Sequence, residues 1–99
     1  MIKVDNSGRF PTLLSYDAGD ILYHFYETDT IHFSIAKVKA TKAGQKGYVD
    51  FEPIEILYSW GKPSAGNSGC SWAASFFDSV NGATKRAIIH LFESEYINK

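Results

Sequence analysis

Gly61-Lys62-Pro63-Ser64-Ala65-Gly66-Asn67-Ser68-Gly69-Cys70-Ser71-Trp72 is the one stretch rich in Gly, Ser and Pro, and it divides the chain in two. Before it, runs of alternating apolar residues lie between turn signals; after it, apolar residues recur at helical spacing. This predicts an α+β chain: a β-meander over 1–60, a Gly/Ser loop over 61–71 and a C-terminal helix over 72–97 that packs on one sheet face. Ser71 is the expected N-cap. A small polar loop entering a helix presents free N–H groups and the positive end of a dipole. Cys70, the only cysteine, stands at that point, where its thiol would be sharpened.

Outward toward the N-terminus, Asp17-Ala18-Gly19-Asp20, Thr28-Asp29-Thr30 and Ala43-Gly44-Gln45-Lys46-Gly47 read as turns. They leave four antiparallel strands, at 10–16, 21–27, 31–42 and 47–60, with Ile2–Val4 as a candidate fifth at an edge. Cross-strand partners must share a face, so register can be tested on paper. With Lys42 opposite Gly47, Ala40 meets Val49, Val38 meets Phe51, Ile35 meets Ile54 and Phe33 meets Ile56. Lys39 then meets Asp50 and Lys37 meets Glu52. With Tyr26 opposite His32, Phe25 meets Phe33 and Tyr23 meets Ile35. The lysine cluster is thereby neutralised by its neighbours.

In this long hairpin the apolar residues change face at Ala36 and Pro53 in both strands. Ile31, Phe33, Ile35, Ile54, Ile56 and Tyr58 are expected under the helix. Val38, Ala40, Val49 and Phe51 are expected on the opposite face. Bulges near Ala36 and Pro53 would return both sets to one side. Without them the distal set calls for a second chain or a partner.

Downstream, Trp72, Phe76, Phe77, Val80, Ala83, Ala87, Ile88, Leu91 and Phe92 keep one helical phase. Asn81-Gly82 interrupts them, either ending one helix before a second capped by Thr84 or bending a single one. The unbroken phase favours a single bent helix.

The 99 residues carry a formal net charge of −1, with 44% hydrophobic and 15% aromatic content. That suits a single domain with a modest core and argues against nucleic acid as partner, which needs a basic footprint. One cysteine excludes an intramolecular disulfide, and no apolar run approaches a membrane span, so a cytoplasmic protein without membrane contact is expected. There is no phosphate loop, dinucleotide fingerprint or paired metal motif, and no cofactor is expected.

Three constellations are candidates for function. The first is Gly19-Asp20-Ile21-Leu22, then His32-Phe33-Ser34-Ile35, then Cys70. This order is similar to that of permuted relatives of the NlpC-type cysteine hydrolases, including the lecithin:retinol acyltransferase group. The resemblance implies a small thiol hydrolase with Cys70 as nucleophile and His32 as base. The second is a back-face cluster, His24, His32 and Glu55, whose two imidazoles and carboxylate could hold a divalent metal with open positions. The third is an apolar surface on that same face, comprising Tyr26, His32, Val38, Val49, Phe51 and Leu57. Contiguous exposed apolar and aromatic surface characterises protein interfaces. The leading expectation is a non-enzymatic protein-binding module of inhibitor, toxin-immunity or phage anti-defence type. Such a module covers another protein, or a second copy of itself, through an exposed sheet face.

Overall fold

A computed structural model describes residues 2–8, 11–27, 32–44, 47–60 and 69–97, with side chains except at 69–70 and 91–97. The strands are β1 (Lys3–Asp5), β2 (Thr12–Ser15), β3 (Ile21–Glu27), β4 (Phe33–Ala40), β5 (Tyr48–Trp60), β6 (Gly69–Trp72) and β7 (Phe76–Phe77). A 3-10 turn (Ala73–Ser75) joins β6 to β7, and one helix, α1 (Val80–Ile97), follows. The class is α+β. β1 and β2 pair separately, while the main sheet has the order β6-β5-β4-β3-β7. The meander β3-β4-β5 is the one the turn signals predict. Gly19 and Gly47 adopt φ of 91° and 88° in its turns, conformations that glycine reaches without a Cβ penalty.

Both hairpin registers differ from expectation by two residues or more. Phe25 pairs with Ile35, and Ala40 pairs with Phe51. Lys39 meets Glu52, with Nζ 3.8 Å from the carboxylate. A two-residue slip leaves every side chain on its own face, so alternation alone cannot detect it. β5 is also bulged twice. Its pairing jumps from Val38–Pro53 to Lys37–Glu55, and from Ala36–Ile56 to Ile35–Tyr58, which leaves Ile54 and Leu57 as extra residues.

These bulges accompany a strong curl. β6 and β7 are opposite edges of the sheet, separated by four inter-strand gaps, or ~19 Å if it were flat. Yet only the three residues Ala73–Ser75 join them, a reach of at most ~14 Å. The sheet must therefore fold toward itself. Across the concave face, Phe51 of β5 meets Phe76 of β7 with ring centroids 5.2 Å apart, and His24 of β3 meets Phe51 at 5.0 Å.

Two apolar clusters result, one on each face. The concave one gathers Leu22, Ala36, Val38, Ala40, Val49, Phe51 and Phe76. Leu13 and Tyr16 close it from the β2 side, with Ile2, Val4 and Ala73 packed against it. Tyr16 is fixed there by its hydroxyl, which donates to the Tyr48 carbonyl at 3.0 Å. The convex cluster holds Phe25, Phe33, Ile35 and Phe77 under Ala83 and Ala87 of α1. The bulges do not bring the two sets to one side. The distal set is instead sealed within the chain, because the N-terminal hairpin and β7 cover the face expected to lie open.

The helix starts eight residues later than expected. The segment 72–79 supplies β7, whose adjacent Phe76 and Phe77 fill opposite faces of the sheet, as strand geometry demands. Ser79, not Ser71, serves the helix start: its Oγ accepts from the Gly82 N–H at 3.2 Å. Gly82 does not break the helix. It allows a close approach, since a Cβ there would stand 3.3 Å from the Cβ and Cδ1 of Phe77. Thr84 caps nothing; its hydroxyl donates back to the Val80 carbonyl at 2.8 Å.

Candidate functional site

The residues expected to meet a partner do not share a surface. Val38 and Val49 are fully buried and Phe51 is 4% exposed, so all three are core. Tyr26 and Leu57 are half-buried on β3 and at the second bulge, and His32 is half-buried just ahead of β4. The apolar surface lies elsewhere. Ile54, Ile56, Tyr58 and Trp60, three of which were expected under the helix, are 48, 40, 61 and 55% exposed. For Tyr58 and Trp60 the reason is the late start of α1, which packs against β3, β4 and β7 and leaves the convex side of the outer half of β5 uncovered; Ile54 is an extra residue of a bulge, and Ile56 is turned to the other face, opposite Ala36. Tyr58 and Trp60 pair with Ile35 and Phe33, so they stand on the convex face beside the helix. The Trp60 ring lies nearly parallel to that of Phe33, 6.4 Å away.

The thiol pair does not form. Cys70 lies within β6 opposite Asp50, whose carbonyl accepts from the Thr41 N–H at 2.9 Å. It does not open a helix, so the dipole that was to sharpen it is absent at that position. Thr41 follows the last residue of β4 and His32 precedes the first, so the strand separates them by roughly 30 Å. The metal trio is likewise dispersed. His24 is inside the concave core, Glu55 pairs with Lys37 on the convex face, and His32 stands at the entry to β4. Among the described residues no three His, Cys, Asp or Glu side chains gather closely enough to hold a metal.

His24 is the most unusual polar group. It is 2% exposed, stacked on Phe76 at 4.3 Å and met edge-on by Phe51. Its Nδ1 is buried without a hydrogen-bond partner, as is the Oγ of Ser34 on the neighbouring strand. Desolvation lowers its pKa from 6.5 to about 4, so the ring is neutral at pH 7.

A cleft opens beside this group, where β7 ends. It has a volume of about 550 Å³ and is lined by Phe25, Tyr26 and Glu27 of β3 on one side, and by Trp72, Ala74 and Ser75 on the other. The far wall is fixed by the Ser75 hydroxyl, which donates to the Trp72 carbonyl at 3.1 Å. Trp72 is 63% exposed and stacks on its cross-strand partner Tyr48 with ring centroids 4.6 Å apart. Glu27 also holds the helix, with its carboxylate 3.0 Å from Nδ1 of His90.

Fold and surface together define a small α+β protein with a curled sheet and exposed aromatic side chains on the outer half of β5. Comparison with known protein families, characterised proteins and solved structures finds no match. No helix among the described residues is long and apolar enough to cross a membrane.

Proposed function

We propose that this chain is a non-enzymatic protein-binding module that acts by covering a partner macromolecule, as inhibitors, immunity proteins and anti-defence proteins do. The observation that carries this reading is the outer half of β5, where Tyr58 and Trp60 stand exposed together on the convex face and Ile54 and Ile56 add exposed apolar area at and between the bulges. Aromatic and aliphatic anchors grouped in this way are what protein interfaces bury. The contact surface is thus centred on Tyr58 and Trp60 rather than on the face of Val38, Val49 and Phe51. The separation of Cys70 from His32 removes support for a thiol hydrolase built on that pair.

The test is co-purification from the native host with the wild-type chain, the double variant Tyr58→Glu/Trp60→Glu, and Leu14→Glu as a matched control. Leu14 is 64% exposed on β2, away from this strand. The wild type and Leu14→Glu should retain a stoichiometric partner, and the double variant should lose it with an unchanged melting temperature. Equal retention by all three would refute the assignment of β5. A wild-type chain that holds no partner, and remains monomeric by light scattering, would refute the binding function itself.

A further inference from the structure

The turn Ala73–Ser75 crosses from β6 to β7 on the concave side, where Ala73 packs against the core, and it is thinly held. None of its three residues is buried. Open space flanks it. The cleft of about 550 Å³ meets Ala74 and Ser75, and a second cleft of about 500 Å³, lined also by Leu13, Tyr16 and Gly47, meets Ala73. Its Ala73 N–H donates across to the Gly47 carbonyl at 3.0 Å. A segment with few buried contacts opens at lower cost than the sheet around it. Against this segment lies His24. Both line the first cleft, and Phe76, which follows the turn, stacks on the imidazole. Phe76 from β7, Phe51 from β5 and Tyr26 from β3 face that ring with their own rings, and Ser34 of β4 leaves its hydroxyl unpartnered, as His24 leaves Nδ1. The charged groups of the cleft are turned elsewhere: the Glu27 carboxylate is on His90, and the Arg86 guanidinium lies over Phe25. The closed strand-turn-strand arrangement therefore offers a protonated imidazole neither water nor a counter-charge.

We propose that Ala73–Ser75 is an acid-opened strap: proton uptake by His24 lifts it from the concave face and admits water to the imidazole and to the core beside it. The two clefts give the strap room to move, and the extended backbone at Trp72 and Phe76 forms its two ends. The sign follows from linkage. Closed, His24 titrates at about 4, with burial as the cause; hydrated, it titrates near 6.5. Between these values the open form binds a proton that the closed form refuses. Above pH 6.5 the opening equilibrium is constant. Below it, opening rises about tenfold per pH unit, approaching about 300-fold under pH 4. A buried histidine that biases a local two-state element in this way is a pH switch. The device is separate from the outer half of β5 and does not depend on the binding role proposed for it.

The test is native-state hydrogen exchange at the Ala73 amide, with protection taken relative to the unfolded chain at each pH. The amides of Leu22 and Val38, cross-strand partners that are fully buried, report global unfolding. From pH 7 to pH 5, Ala73 protection should fall by about thirtyfold. Sub-denaturing urea should leave it nearly unaltered, because lifting a short turn exposes little surface, while protection at Leu22 and Val38 declines. This comparison uses the wild type alone and needs no variant to fold. His24→Phe, which keeps the ring stack on Phe76, should abolish the response of Ala73 to pH. The inference fails if Ala73 protection is the same at pH 7 and pH 5, or if it falls equally in His24→Phe. It fails also if urea lowers it as steeply as it lowers Leu22 and Val38, since the opening would then be global.

Discussion

At the scale of single residues, His24 governs how the fold answers to acid. An unfolded histidine titrates near 6.5, whereas burial holds this one at about 4. Below pH 6.5 the unfolded chain takes up a proton that the folded chain refuses. Stability is therefore complete above 6.5 and falls as the pH drops, by roughly 1 kcal/mol per unit, to a total of about 3 kcal/mol near pH 4. Chemical denaturation at pH 7, 6, 5 and 4 should show that decline, and His24→Phe should flatten this component while keeping the stack on Phe76. An equal decline in the variant would assign the effect to other groups. Ser34→Ala should stabilise the chain by about 1 kcal/mol, because it deletes a buried hydroxyl that has no partner. A loss of stability there would mean that an internal water links Ser34 to its surroundings. Gly82 has the opposite logic. A Cβ at that position gains helix propensity of up to ~1 kcal/mol, but meets the fully buried Phe77 at 3.3 Å. Gly82→Ala should lower stability by about 1 kcal/mol, measured by denaturant midpoint, and Gly82→Val by more.

At the scale of elements, the three meander strands were legible because alternation and turn chemistry are local. Gly19 and Gly47 mark turns by composition, and each holds the positive φ such a turn needs. Register was not legible, since a slip of two residues leaves the pattern of faces unaltered. The start of α1 was hidden by a coincidence of periods. Trp72, Phe76, Phe77 and Val80 suit a helical stripe, yet Phe76 and Phe77 also suit a strand with both faces covered. Ser79, with its hydroxyl on the Gly82 N–H, was the local sign of the true boundary. From that one shift follows the misplacement of Cys70, which no longer heads a helix, and of Tyr58, which no helix covers; the bulges of β5 account for Ile54 and Ile56. Two residues adjacent in one reading, His32 and Cys70, thus end at opposite ends of β4.

At the scale of the whole molecule, the curl of the sheet decides which apolar face is core. A flat meander with one helix would leave Val38, Val49 and Phe51 in water. Curling brings Phe51 within ring contact of His24 and Phe76, and the β1–β2 hairpin then closes the remaining opening with Leu13 and Tyr16. The hairpin is therefore a lid on the core and not an appendage, although among the described residues it pairs with no strand of the main sheet. This separates two substitutions that look alike in the sequence, each placing a carboxylate on an aromatic of β5. Phe51→Glu buries an unpaired charge in the concave cluster and should unfold the chain outright at neutral pH. Trp60→Glu replaces a side chain that is 55% exposed and should leave the fold in place, at a cost within about 1 kcal/mol. Amide proton dispersion and thermal melts read both. A folded, monomeric Phe51→Glu protein would mean that the hairpin does not seal the concave face in solution, and the distal surface would return as the site of contact.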